Sequence, residues 1–129
     1  MDPSERLAAD ELIQTALAFQ GVPYRLGGDS PSSGFDCSGF VRYVFAANHV
    51  DVPRTVIEQF AVGTRIPPSD VHAGDLLFFS TVAPGPSHVG IALGDGRFVH
   101  APAENGTVRL DRFDSAYWRD RFVGARRLI

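Results

Sequence analysis

Three side chains in this sequence could carry out a reaction together: Cys37, His88 and His100. A free thiol has a reference pKa of about 8.5 and is mostly protonated at neutral pH, so a cysteine nucleophile needs help from its surroundings. Cys37, Phe40, Val41, Val44 and Phe45 recur at i, i+3, i+4, i+7 and i+8, which predicts a helix, and Asp36 stands where a cap would. Cys37 then opens that helix and faces its unpaired backbone N–H groups, whose partial positive charge favours a thiolate. A histidine alongside would hold the proton as imidazolium and make the thiolate the dominant form at neutral pH. The charge of Asp36 opposes this, so Asp36 is read as the helix cap or as a holder of a substrate amine. The same apolar stripe would equally describe a buried structural cysteine, since free cysteine is among the most buried residue types.

His88 opens the run His88-Val-Gly-Ile-Ala-Leu93. Strand alternation sets it on one face with Gly90 and Ala92, small neighbours that would leave room for the helix carrying Cys37. His100 lies on the next strand and could orient the His88 ring, the third role in triad chemistry. Whether it can depends on parity. A two-residue Asp95-Gly96 turn would point the two histidines to opposite faces, whereas a three-residue Gly94-Asp95-Gly96 turn pairs Leu93 with Arg97 and Gly90 with His100. The expectation is therefore the bulged three-residue turn, Gly96 at positive φ, and a hydrogen bond between the rings. A cysteine and two histidines are also acceptable zinc ligands. The short paired spacings of zinc sites do not occur here, and His49 and His72 fall in expected loops without partners.

The elements that must position these residues can be read from the same pattern. A helix is expected from about Glu5 to Phe19, started by Ser4 and stopped by Gly21 and Pro23. The stretch from Gly21 to Gly34, rich in Gly, Pro and Ser, reads as a long surface loop that is neither helix nor strand. Thr55 and Glu58 have the spacing of a capping box, which starts a short helix near Val56. Strands are expected over Leu76 to Phe79, His88 to Leu93, Arg97 to His100, Gly106 to Leu110 and Phe122 to Leu128. Asn105-Gly106 is read as a turn in preference to a glycosylation site, and Gly94-Asp95-Gly96 as a turn and not a phosphate loop. Helices first and strands afterwards predict an α+β domain with an antiparallel sheet.

At 129 residues the chain fits a single domain, 1–129, with one core. Twelve basic and fifteen acidic side chains give a formal charge of −3 without a basic stripe, which argues against a nucleic-acid partner. The single cysteine excludes an internal disulfide. No signal peptide or membrane span is visible, so the chain is expected to be cytoplasmic or to be a mature or excised domain.

The runs Gly21-Val-Pro-Tyr-Arg-Leu-Gly-Gly28 and Gly34-Phe-Asp-Cys-Ser-Gly-Phe-Val41 resemble the N-terminal signature of the NlpC family of papain-like cell-wall cysteine peptidases. Pro53-Arg-Thr55 with Gln59, Gly74-Asp-Leu-Leu-Phe-Phe79, Ser87-His-Val-Gly-Ile-Ala-Leu93 and Phe98-Val-His-Ala-Pro102 are similar, in order, to its later segments. The resemblance implies a papain-like fold, N-terminal helices packed on an antiparallel sheet with the nucleophile at a helix start. It implies Cys37 as nucleophile, His88 as base and acid, and His100 as the orienting third member. It also implies Tyr24 beside the oxyanion, Asp36 and Ser38 against the substrate peptide, and Arg54 as a weaker member of that set. The implied reaction is hydrolysis of peptidoglycan stem peptides at the γ-D-glutamyl to diamino acid (meso-diaminopimelate) bond, with no metal or organic cofactor. The partner implied is peptidoglycan or a free muropeptide, met by a monomer in the periplasm, cell wall or medium. The neighbouring alternative is a related papain-like amidase or acyltransferase acting on another amide or ester. A non-catalytic module of the same fold would be expected to lack a reactive position, and all three are present.

Overall fold

The computed structural model describes residues 1–103 and 106–129. The chain begins with α1, Pro3–Leu17, and continues through a two-residue hairpin of β1, Asp29–Ser30, and β2, Gly34–Phe35. Next come α2, Cys37–Ala47, α3, Val56–Phe60, and β3, Thr64–Ile66. The remainder is β4, Leu76–Phe79, β5, His88–Ala92, β6, Arg97–His100, β7, Arg109–Arg112, α4, Ala116–Arg119, and β8, Phe122–Arg127. Six strands form one antiparallel sheet in the order β3-β8-β4-β5-β6-β7. This is the expected α+β architecture.

The sheet is buried on both faces, which explains why β4 reads Leu76-Leu77-Phe78-Phe79 without alternation: all four side chains are fully covered. One face carries Leu76, Phe78, Val89, Ile91 and Val99 against Leu12 and Ala16 of α1 and Phe40, Val41, Val44 and Phe45 of α2. The other gathers Ile66, Leu77, Phe79, Ala92, Phe98 and Ala125 around Trp118 of α4. Each of the Val, Leu, Ile and Phe side chains among them contributes about 1.5–3 kcal/mol when taken fully out of water.

Local chemistry sets the helix starts. The Asp36 carboxylate accepts from the Gly39 N–H at 2.7 Å, and Thr55 and Glu58 form the expected capping box, each side chain bonded to the other's backbone N–H. At α1 the cap is Asp2, which accepts from the Glu5 N–H, while the expected Ser4 only donates its hydroxyl to Asp2. The loop expected over residues 21–34 contains the small β1–β2 hairpin. The strand expected over Gly106 to Leu110 is β7, three residues further on, because Val108 bonds back to Val22 before the ladder with β6 begins. Strand β3 and helix α4 are additional elements. Of the expected Asn105-Gly106 turn, Asn105 lies outside the described residues.

Candidate active site

Asp36 places Cys37 as the first residue of α2. Its backbone N–H therefore has no intrahelical acceptor. The thiol is half-buried. Helix α2 lies on the Val89 and Ile91 face of the sheet, not on the Gly90 and Ala92 face that its small residues suggested. The space at Gly90 is filled instead by Phe98 and His100, since a Cβ there would lie 2.6 Å from Phe98 Cδ2 and 3.0 Å from His100 Cβ. Cys37 nonetheless shares a cavity of about 570 Å³ with His88, at the start of β5. Tyr24, Thr81, Tyr117 and Trp118 share its wall.

The turn between the histidine strands follows the expected parity. Ile91 pairs with Val99 and Ala92 with Phe98, the Leu93 N–H donates to the Arg97 carbonyl at 2.9 Å, and Gly96 has φ +89°. That register brings the rings together, with His88 Nε2 to His100 Nδ1 at 2.7 Å. His88 is thus left with Nδ1 as the nitrogen for cavity chemistry. The Trp118 indole stacks on the His88 ring with centroids 5.5 Å apart and meets His100 edge-on at 5.1 Å. Behind the pair, His100 Nε2 lies 2.7 Å from Asp111 Oδ2, and the same oxygen accepts from Arg109 Nε at 2.9 Å.

Burial governs the charge states. It pushes the Cys37 thiol up to about 11, with the Asp36 charge adding to the rise and the Val89 N–H opposing it. It pushes His88 down to about 3, helped by His100 and Arg109. Both shifts favour the neutral forms, thiol and imidazole. Desolvation thus works against the thiolate expected to dominate at neutral pH. His100 is likewise lowered by burial, partly offset by Asp111, whose own carboxyl is lowered by its bond to His100.

The other expected residues form a neighbouring cluster. Arg54 donates to both oxygens of Asp36 and to Ser38 Oγ, at 2.9–3.0 Å. Asp36 Oδ2 also accepts from the Gly27 N–H at 3.1 Å, so protein donors already engage both of its oxygens. The fully buried Gln59 ties α3 to this cluster by donating Nε2–H to the carbonyls of Ser38 and Pro53. Tyr24 stands on the cavity wall, and burial together with Cys37 and Asp36 raises its hydroxyl above the ordinary tyrosine value. As for zinc, both His100 ring nitrogens are already engaged, by His88 and Asp111. Among the described residues no group of three His, Cys, Asp or Glu side chains could hold a metal ion. Residues missed from the sequence are Asp111, Arg109 and Trp118. Asp111 was recoverable by carrying the histidine parity one strand further, but Trp118 sits on a four-residue helix too short to show periodicity.

A cysteine at a helix start that shares a cavity with a histidine of an antiparallel sheet is the arrangement of a papain-like α+β protein. The NlpC/P60 family model matches residues 21–127, and the chain belongs to that family. It is 33% identical over 124 residues to the gamma-DL-glutamyl hydrolase of Bacillus subtilis, covering 94% of this chain and 30% of that one. It is 36% identical over 128 residues to the murein DD-endopeptidase MepH of Escherichia coli, covering 96% and 46%. The structure of the peptidoglycan hydrolase RipB from Mycobacterium tuberculosis superposes with a TM-score of 0.84 at 32% identity, over all of this chain and 69% of that one. The chain thus spans less than half the length of either of the first two relatives.

Proposed function

We propose that this chain is a cysteine endopeptidase that hydrolyses peptidoglycan stem peptides, with Cys37 as nucleophile and His88 as base and acid. The observation that carries this reading is the shared cavity of Cys37 and His88, with the His88 ring held from behind at 2.7 Å by His100. Family membership and the peptidoglycan-directed names of its relatives support the substrate class. In this mechanism His88 Nδ1 takes the thiol proton as the sulfur attacks the scissile carbonyl carbon. The oxyanion that forms is met by the Cys37 backbone N–H and the Tyr24 hydroxyl. The C–N bond then breaks, the leaving amine takes its proton from His88, and a thioester remains. Water, deprotonated by His88, attacks the thioester and releases a carboxylic acid and the free thiol.

Within this proposal the preferred bond is the γ-D-glutamyl to diamino acid bond, and the work is done by a monomer outside the cytoplasm, where peptidoglycan lies. Relatives bear both γ-DL and DD names, so the bond is the point to test. Incubation with purified muropeptides and mass spectrometry of the new termini should give an N-terminal diamino acid. A new D-alanine carboxylate would move the assignment to DD cleavage. Unchanged muropeptides, with turnover of another amide or ester, would favour the amidase or acyltransferase alternative.

A further inference from the structure

The relay does not end at His100. Across β6 and β7, His100 pairs with Arg109 and Phe98 with Asp111, so Asp111 is the diagonal neighbour of His100 on the same face. His88 bears the same relation to His100 one strand earlier. The His100 ring is completely buried, and its Nε2 lies 2.7 Å from Asp111 Oδ2.

We propose that Asp111 is a positioning residue for the reaction, which sets the direction of every proton in the relay by holding His100 as its Nε2–H tautomer. An ionised carboxylate only accepts, so the hydrogen of this bond sits on His100 Nε2. The neutral His100 ring then has its lone pair at Nδ1 and accepts from His88 Nε2–H. That leaves the lone pair of His88 on Nδ1, where a base for Cys37 needs it. Without the carboxylate, His100 can carry its hydrogen on Nδ1 and donate it to His88, which puts the His88 hydrogen on Nδ1 and disables the base. Arg109 Nε, 2.9 Å from the same oxygen, holds Asp111 in place and ionised. The other ionisable groups around the relay are Cys37, Tyr24 and Tyr117 on the cavity wall. Aromatic rings of Phe79, Phe98 and Trp118 close its remaining sides.

The inference rests on the proposed Cys37–His88 chemistry, and its test separates the two. Protein labelled with ¹⁵N-histidine should show both His88 and His100 protonated at Nε2 at neutral pH, and Asp111→Ala should move His100 toward the Nδ1–H form. In muropeptide assays Asp111→Ala should lower kcat by about tenfold to a hundredfold with KM changed less than about twofold, and Asp111→Glu should recover most of the loss. If the alanine variant does not fold, the nearly isosteric Asp111→Asn carries the same test, since a neutral amide no longer fixes the tautomer. Unchanged tautomers in the variant overturn the proposal whatever the rate. The NMR readout needs no substrate, so a wild type inactive on muropeptides would sink the peptidase reading while the relay is still decided.

Discussion

Arg54 grips Asp36 through both carboxylate oxygens, at 3.0 and 2.9 Å, one residue before the nucleophile. The Asp36 charge works to raise the Cys37 thiol, and the Arg54 guanidinium, which pairs with Asp36 and also feels the thiolate, has the opposite sign. Arg54→Gln should therefore push the thiol higher and slow its alkylation at fixed pH. It should also cost about 1–3 kcal/mol of stability by stripping a partly buried carboxylate of its partner. Chemical denaturation and a thiol-alkylation time course check the two effects. An unchanged alkylation rate would show that Arg54 acts on the fold alone.

A thiol and imidazole held neutral by burial make a demand on reactivity. Below the thiol's raised pKa of about 11, the thiolate fraction grows tenfold per pH unit. Alkylation of Cys37 should thus accelerate steadily from pH 7 to 10. A rate that is flat from pH 6 to 9 would instead mean a preformed thiolate–imidazolium pair.

Cys37→Ala should abolish hydrolysis while costing about 1 kcal/mol of stability, because the thiol is half-buried and its neighbours on α2 carry the packing. EDTA should leave the wild type unaffected. Residual muropeptide cleavage by the alanine variant, or inactivation by EDTA that zinc reverses, would remove the thiol mechanism.

Much of this site is legible in the sequence, because it depends on short-range rules. Capping chemistry placed Cys37 at a helix start, and strand parity with Gly96 placed His100 against His88. What failed depends on tertiary packing. Gly90 and Ala92 look like a bare face waiting for a helix, but alternation cannot say which face α2 covers. Nor can it say that Trp118 and the Phe98 ring fill the other. Asp111 escaped because the expected strand ended at Leu110, and the shift arises from Val108 pairing with Val22, far away in sequence. The thiolate expectation takes no account of burial, because a sequence pattern shows a helix start but not the depth at which it is buried.

Acid should destabilise the fold through His88. Its ordinary value of 6.5 applies when unfolded and about 3 when folded, so between those values the unfolded chain binds the extra proton. Stability is then fully present above about pH 6.5 and falls as pH is lowered toward 3. Asp111 adds a loss at the acid end, because its folded value lies below 3.8. Thermal melts from pH 7 to 4 should show the decline, and His88→Gln should flatten it. An equal decline in that variant would assign the acid sensitivity elsewhere.

The last prediction concerns Gly90, which continues the β5–β6 register opposite His100. A methyl group there would lie 2.6 Å from the Phe98 ring and 3.0 Å from His100 Cβ, too close for either to stay in place. Overpacking of this kind costs about 1–3 kcal/mol. Gly90→Ala should thus be less stable, but the displaced atom belongs to the residue that holds His88 at 2.7 Å. Its kcat should therefore fall even at temperatures where the variant is fully folded. Gly124→Ala is the control: its added Cβ would press on Phe60 at 3.1 Å, in the same sheet but away from the histidines. That variant should lose stability and keep its kcat. If Gly90→Ala also keeps wild-type kcat while folded, the reaction does not require the His88–His100 bond in its observed geometry.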